Sequence, residues 1–164
     1  LDSTQSIYFR ERGLIKNKLG DYLGSLSDLQ KALTIPKLIC YKKYGRCDYK
    51  EDQSYKSNLY KEIGKVRIKL KDYIKAISSL NKSISLSGIA SNFYTNSRRK
   101  LPEAFLYRGI AKYELQDYKA ACSDWYFRKS VGVFTTKYIS DPAILKSVKH
   151  NGSSIYSLYK KYCK

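Results

Sequence analysis

The chain has 164 residues, 32 Lys and Arg against 14 Asp and Glu, a formal net charge of +18 and 17 tyrosines. That length is one domain's worth and can bury a core, while no apolar run approaches the roughly 20 residues that a membrane-spanning helix needs, so no transmembrane segment is expected. The positive balance favours acidic protein surfaces, nucleic acid or anionic lipid as neighbours, and concerns association and solubility only.

Residues 1–5 form a lead-in. The sequence contains no Met, even at position 1, which fits either a removed signal peptide or a truncated N-terminus. A first helical hairpin is predicted over 6–35, ended by Pro36. The insertion at 36–56 holds Cys40 and Cys47, with Gly45 between them for a reversal of direction. One reading closes this loop with a disulfide and another leaves two reduced thiols; C-x6-C lacks the short spacing of a zinc knuckle and no His is near. The second hairpin, 57–88, carries apolar residues at 59, 63, 66, 70, 73, 77, 80 and 84, a stripe of 3.6-residue period.

A polar insertion at 89–101 follows, ending in Arg98, Arg99 and Lys100, which reads as a solvated loop or as a basic contact site. The third hairpin spans 102–132, with Pro102 suited to a first helical turn and Gly132 to a helix end. The remaining segment, 133–164, is a C-terminal cap: a short extended stretch, a helix start at Asp141-Pro142, a stop at Asn151-Gly152 and a final amphipathic helix ending near Cys163.

The three hairpins share one grammar. Gly13, Leu19, Asp21, Tyr22, Ser25 and Leu29 recur as Gly64, Leu70, Asp72, Tyr73, Ala76 and Leu80, and again as Gly109, Leu115, Asp117, Tyr118, Ala121 and Trp125. Phe9, Tyr60 and Phe105 stand four residues before the three glycines. Each Leu-x-Asp-Tyr lies between two helical segments, so it is a turn whose Asp accepts N–H bonds at the next helix start. The glycine and the small residue clear space where the paired helices approach closely.

This pattern resembles the tetratricopeptide repeat, with its aromatic, Gly, Tyr, Ala and large apolar residue at fixed offsets over about 34 residues. The match covers roughly 90 residues. The second small residue is kept as Ala32 and Ser83 but is Arg128 in the third copy, and the glycines are 51 and 45 residues apart because of the two insertions. The resemblance implies an all-α solenoid of three helical hairpins with C-terminal capping helices, acting as a non-catalytic scaffold or assembly subunit that binds protein.

Ala-Cys-Ser-Asp-Trp at 121–125, followed by a closing helix with a terminal Cys, is also similar to the C-terminal unit of small exported bacterial repeat proteins of cyanobacterial type. That likeness implies a Cys122–Cys163 bond and an exported location, in a periplasm, a thylakoid lumen or outside the cell; a cytoplasmic one stays open. In the repeat family the first helix of each unit lines a concave groove. The corresponding offsets fall on Arg10, Leu14, Asn17 and Lys18, then on Lys61, Lys65, Ile68 and Lys69, then on Leu106, Ile110, Tyr113 and Glu114.

Lys61, Lys65 and Lys69 form one cationic line along a helix, either a solvated face or a groove for an acidic or amphipathic protein segment. Family members that bind chaperone tails clamp a terminal carboxylate with Lys and Asn, and here Leu14 occupies the place of the opening Asn. The second function class is a polyanion binder, taking nucleic acid, anionic lipid or polysaccharide through Lys, Arg and Tyr. The single His, His150, sits beside the Asn-Gly turn as a surface residue, and no phosphate loop, paired-carboxylate motif or metal-ligand cluster occurs. No enzyme activity, cofactor or metal is therefore expected.

Overall fold

The computed structural model describes residues 3–35, 38–41, 46–49, 53–87, 102–130, 158 and 161–163. Among them are six helices and one pair of strands: α1 (Ser3–Leu19), α2 (Tyr22–Thr34), β1 (Leu38–Tyr41), β2 (Arg46–Tyr49), α3 (Gln53–Lys69), α4 (Tyr73–Leu86), α5 (Pro102–Glu114) and α6 (Tyr118–Ser130). The second insertion with Arg98, Arg99 and Lys100, and the cap up to position 157 with His150, lie outside the described residues.

The turns inside the three hairpins are built alike. Asp21, Asp72 and Asp117 each accept a bond from the N–H three residues on, of Gly24, Lys75 and Ala120, which satisfies an orphan donor of the following helix. The residue before each Asp is left-handed: Gly20 at φ 88°, Lys71 at 59° and Gln116 at 64°. The Asp N–H then returns to the carbonyl five residues back, at Lys16, Arg67 and Lys112, closing the first helix of each pair. Only the first copy places glycine at this position, where the conformation costs least.

Within each pair the helices touch at the repeat glycine. A Cβ on Gly64 would stand 2.6 Å from Leu80 Cγ, one on Gly13 3.1 Å from Leu29 Cγ, and one on Gly109 would strike the Trp125 indole. The large apolar residue of the second helix thus fills the space that glycine vacates. Successive pairs stack through α2 on α3 and α4 on α5, and the first helices α1, α3 and α5 meet along one side.

The stacking creates two apolar clusters. Leu29, Ala32, Leu59, Ile63 and Val66 join the first two pairs, flanked by Phe9, Tyr22, Leu26 and Leu33. A larger one, including Ala76, Leu80, Ala104, Tyr107, Ile110, Ala121 and Trp125, joins the last two pairs, and Leu158, Tyr162 and Cys163 of the cap pack against it. Cys122 of α6 is bonded to Cys163, with their Cα atoms 5.4 Å apart.

The first insertion is more regular than the loop expected from sequence. It holds an antiparallel hairpin, β1 against β2, whose register sets Cys40 directly opposite Cys47. Leu38-Ile39-Cys40-Tyr41 contains the strand-favouring Ile39 and Tyr41, but four residues are too short to give a periodicity signal. The side chains of Cys40 and Cys47 lie outside the described residues, and with them the choice between a disulfide and two thiols.

Candidate functional site

The lysine line on α3 exists as one face and reaches both neighbouring first helices. Lys61 Nζ is 2.7 Å from Glu103 Oε2 on α5 and 3.8 Å from its neighbour Glu62. Lys65 Nζ is 2.9 Å from Glu62 Oε2 and sits 5.4 Å from the Tyr107 ring centre. Lys69 Nζ donates to Asn17 Oδ1 on α1 at 2.8 Å and lies 5.1 Å from the Tyr22 ring centre. The side chains of Lys61 and Lys65 are only 15% exposed, so their ammonium groups are held against acceptors at a partly dry surface.

This face lies on the most basic part of the described chain. Residues 53–87 carry eight Lys and Arg against Glu62 and Asp72, whereas residues 102–130 carry five Lys and Arg against four Asp and Glu. Glu62, Glu103 and Glu114 reduce the charge of the face locally; Glu114 also accepts a bond from Tyr73 at 3.3 Å. Burial, and then Glu114, push the Tyr73 phenol above its ordinary pKa.

The other predicted groove residues divide. Asn17 is 8% exposed and meets Lys69, as above, while Lys18 is exposed on the last turn of α1. Arg10 pairs with Glu11 at 2.5 Å on the α1 surface. Leu106 and Ile110 do not line a groove: they are 3% and 0% exposed within the apolar cluster of the last two pairs. Leu158 of the cap belongs to the same cluster. Ile68 is likewise buried, at 3%.

Tyr113 belongs to an aromatic group with Trp125, Tyr118 and Tyr162, ring centres 5.4–6.0 Å away. Its phenol pKa is raised, first by burial and then by Tyr162. Tyr113 therefore anchors the cap, and of the two rings beside the lysines Tyr22 is partly exposed while Tyr107 is buried in the same cluster as Leu106 and Ile110.

One arrangement escaped the sequence reading. Asp28 is 2% exposed and accepts from Arg12 Nε at 2.7 Å and Arg12 Nη2 at 2.6 Å, with Lys16 Nζ 2.9 Å away. The third pair repeats it: Asp124, 3% exposed, takes Arg108, with Lys112 Nζ at 2.9 Å. In the middle pair the same offsets carry Ile63, Arg67 and Ser79, and Arg67 donates to the Ser79 hydroxyl at 2.7 Å. The signal was present as Arg-x3-Lys sixteen and twelve residues before an Asp that precedes Leu29 or Trp125.

These triads are structural, linking the two helices of a pair by bidentate geometry. Hydrogen bonds from Arg12, and more weakly from Lys16, outweigh burial and hold the Asp28 carboxyl at about 2, below its ordinary 3.8. A depressed carboxylate contributes stability that is complete above pH 4 and is lost as the pH falls through about 2. Urea titrations from pH 7 to pH 2 should show the wild-type midpoint falling most steeply below pH 4. Asp28→Asn should be less stable at pH 7 and show a flatter decline; an equally steep decline would contradict this role.

A scan against protein-family models gives no match, and a search of curated proteins gives none either. Solved structures do align over nearly the whole chain. One is the first TPR of Spaghetti (RPAP3) bound to HSP90 peptide SRMEEVD, with a TM-score of 0.60 and 16% identity, covering 100% of this chain and 98% of that one. The chain has the fold of a tetratricopeptide-repeat domain.

The Arabidopsis OM64 TPR domain aligns at TM-score 0.59 and 14% identity over 97% of this chain and 98% of that one. The N-terminal domain of stress-induced protein-1 from C. elegans aligns at 0.59 and 16% over 90% and 94%. At such identities the likeness concerns the fold. Among the described residues no helix is long and apolar enough to cross a membrane, and no cluster of three or more His, Cys, Asp or Glu could hold a metal ion.

Proposed function

We propose that this tetratricopeptide-repeat domain is a non-catalytic protein-interaction module that takes an acidic, partly apolar segment of a protein partner along α3. The observation that supports this most strongly is the row Lys61, Lys65 and Lys69, which engages acceptors on α1, α3 and α5. Two of those acceptors are the carboxylates of Glu62 and Glu103. A partner's Asp and Glu side chains supply the same oxygen chemistry and exchange for them, while the partly exposed Tyr22 ring offers apolar surface beside Lys69. A structural neighbour carries a peptide, SRMEEVD, that is itself acidic.

The Cys122–Cys163 bond supports placing the protein in an oxidising compartment, consistent with export and with work as a scaffold or assembly subunit there. Affinity selection from a random decapeptide library tests the binding reading. The wild-type chain should enrich sequences with Asp or Glu beside Leu, Ile, Tyr or Phe. The Lys61→Ala, Lys65→Ala, Lys69→Ala variant, once its helical circular dichroism is shown to be retained, should lose at least tenfold in affinity for the enriched peptides. Enrichment without acidic residues, or equal binding by the variant, would refute the reading; binding only to polyanions such as heparin, with a steep loss in salt, would put charge-driven polyanion binding in its place.

A further inference from the structure

The two sides of the stack differ in where their acids lie. On the first helices Glu11 is exposed, and Glu62, Glu103 and Glu114 are partly exposed. The second helices α2, α4 and α6 hold only two acids, Asp28 and Asp124, and these are 2% and 3% exposed. Lysines on the second helices do reach the surface: Lys31, Lys75, Lys82 and Lys119 are all exposed. Lys31 Nζ stands 5.7 Å from the Phe9 ring centre and Lys82 Nζ 5.4 Å from that of Tyr60, so one cation–aromatic contact recurs at the same offsets in successive pairs. The seam of each pair leaves one further positive charge: Arg12 and Lys16 against Asp28, Arg67 beside Ser79, and Arg108 and Lys112 against Asp124. Arg67 Nη1 donates to the Lys75 carbonyl at 2.9 Å and Lys112 Nζ to that of Ala120 at 3.5 Å, which ties these cations to the second helices. The turn acids Asp21, Asp72 and Asp117 sit at one end of this face, each capping a helix, with Asp72 Oδ2 also 3.7 Å from Lys75 Nζ.

We propose that the face formed by α2, α4 and α6 is a binding site for an anionic polysaccharide. Ammonium groups recurring along a repeat stack meet the sulfate or carboxylate groups that recur along such a polymer, and the exposed Ser27, Gln30 and Ser78 meet its hydroxyls. Single-stranded nucleic acid fits this face less well, because sequence-tolerant binding needs exposed rings on which bases stack. Tyr126 is the one exposed aromatic among the described residues of these helices, and the Phe9 and Tyr60 rings already carry Lys31 and Lys82. An anionic bilayer also fits less well: the exposed aliphatic residues Leu23 and Ile74 each stand two positions after a turn acid, Asp21 or Asp72, which opposes their insertion among anionic headgroups. The site lies across the stack from the lysine row on α3 and does not rest on that row's role.

A fluorescently labelled heparin decasaccharide is the probe. Anisotropy with the full chain should give saturable binding that weakens about tenfold or more in the Lys31→Gln, Lys75→Gln, Lys82→Gln, Lys119→Gln variant. All four positions are exposed, so circular dichroism should be unchanged. The Lys61→Ala, Lys65→Ala, Lys69→Ala variant, which removes charge from the other side of the stack, should bind the sugar nearly as well as the wild type, and so separates a defined face from overall charge. No saturable binding, equal binding by the four-lysine variant, or a similar loss in both variants would overturn the proposal. Tighter binding of a single-stranded DNA of equal charge, or of phosphatidylglycerol vesicles, would overturn it in favour of those ligands.

Discussion

Loss of the Cys122–Cys163 bond, made selectively as Cys163→Ser, is expected to lower the stability of the chain by about 4 kcal/mol. The two cysteines are 41 residues apart, and in the chain-entropy model cross-linking a loop of that length removes about this much freedom from the unfolded state. The native side adds to the effect, because the bond holds Cys163 and its neighbours against the larger cluster. Leu158 is 4% exposed in the larger cluster, and Tyr162 stacks on Tyr118 and meets Tyr113 edge-on. For a chain of this size the loss corresponds to a fall in Tm of roughly 10–15 °C. Urea denaturation of the oxidised wild type and the variant measures it; a difference below about 1 kcal/mol would mean that the cap holds without its staple.

Trp125→Ala should be comparably damaging, at about 3–5 kcal/mol, the range for removing a large aromatic from a packed core. Trp125 is 1% exposed, occupies the space opposite Gly109, and lies 6.0 Å from Tyr113, which the cap's Tyr162 ring meets edge-on. Its removal therefore opens the third hairpin and undercuts the cap together. The adjacent Tyr126 is 62% exposed, and Tyr126→Ala should change stability by no more than about 0.5 kcal/mol. Thermal denaturation followed by circular dichroism compares the two, since Trp125 is the only Trp and fluorescence would vanish with it. Similar losses from both substitutions would contradict the packing described here.

How far this architecture was legible follows from which residues carry redundant signals. Three coincident copies of Gly, Leu-x-Asp-Tyr, a small residue and a large apolar one specify hairpins because each residue type answers a local need: a close approach, a capped turn, a filled gap. The observed helices follow those signals. Leu106 and Ile110 were misplaced as groove residues because family offsets fix a position on a helix without fixing which neighbours surround it. In this chain Leu106 and Ile110 turn into the core, whereas Lys61 and Lys65 at the same offsets keep their ammonium groups at the surface.

The short β hairpin was hidden by its length. The Asp28 and Asp124 triads were hidden for a different reason: an acid buried with its cations resembles, in sequence, any other charged residue on a helix. Only the repetition of Arg-x3-Lys before Asp in the first and third copies, and its absence from the second, distinguishes it. The lysine row was visible as a line, while its attachment to Glu62, Glu103 and Asn17 depends on stacking between helices far apart in sequence.

The most direct measurement of the central claim is affinity capture of the full chain's partners from a native extract, with chemical cross-linking and mass spectrometry at low and high salt, with and without nuclease. A protein partner that survives high salt and nuclease, and whose cross-links join an acidic segment to Lys61, Lys65 or Lys69, is the result predicted. Recovery of salt-labile or nuclease-sensitive polyanions alone, or of partners cross-linked only to other lysines, would contradict it.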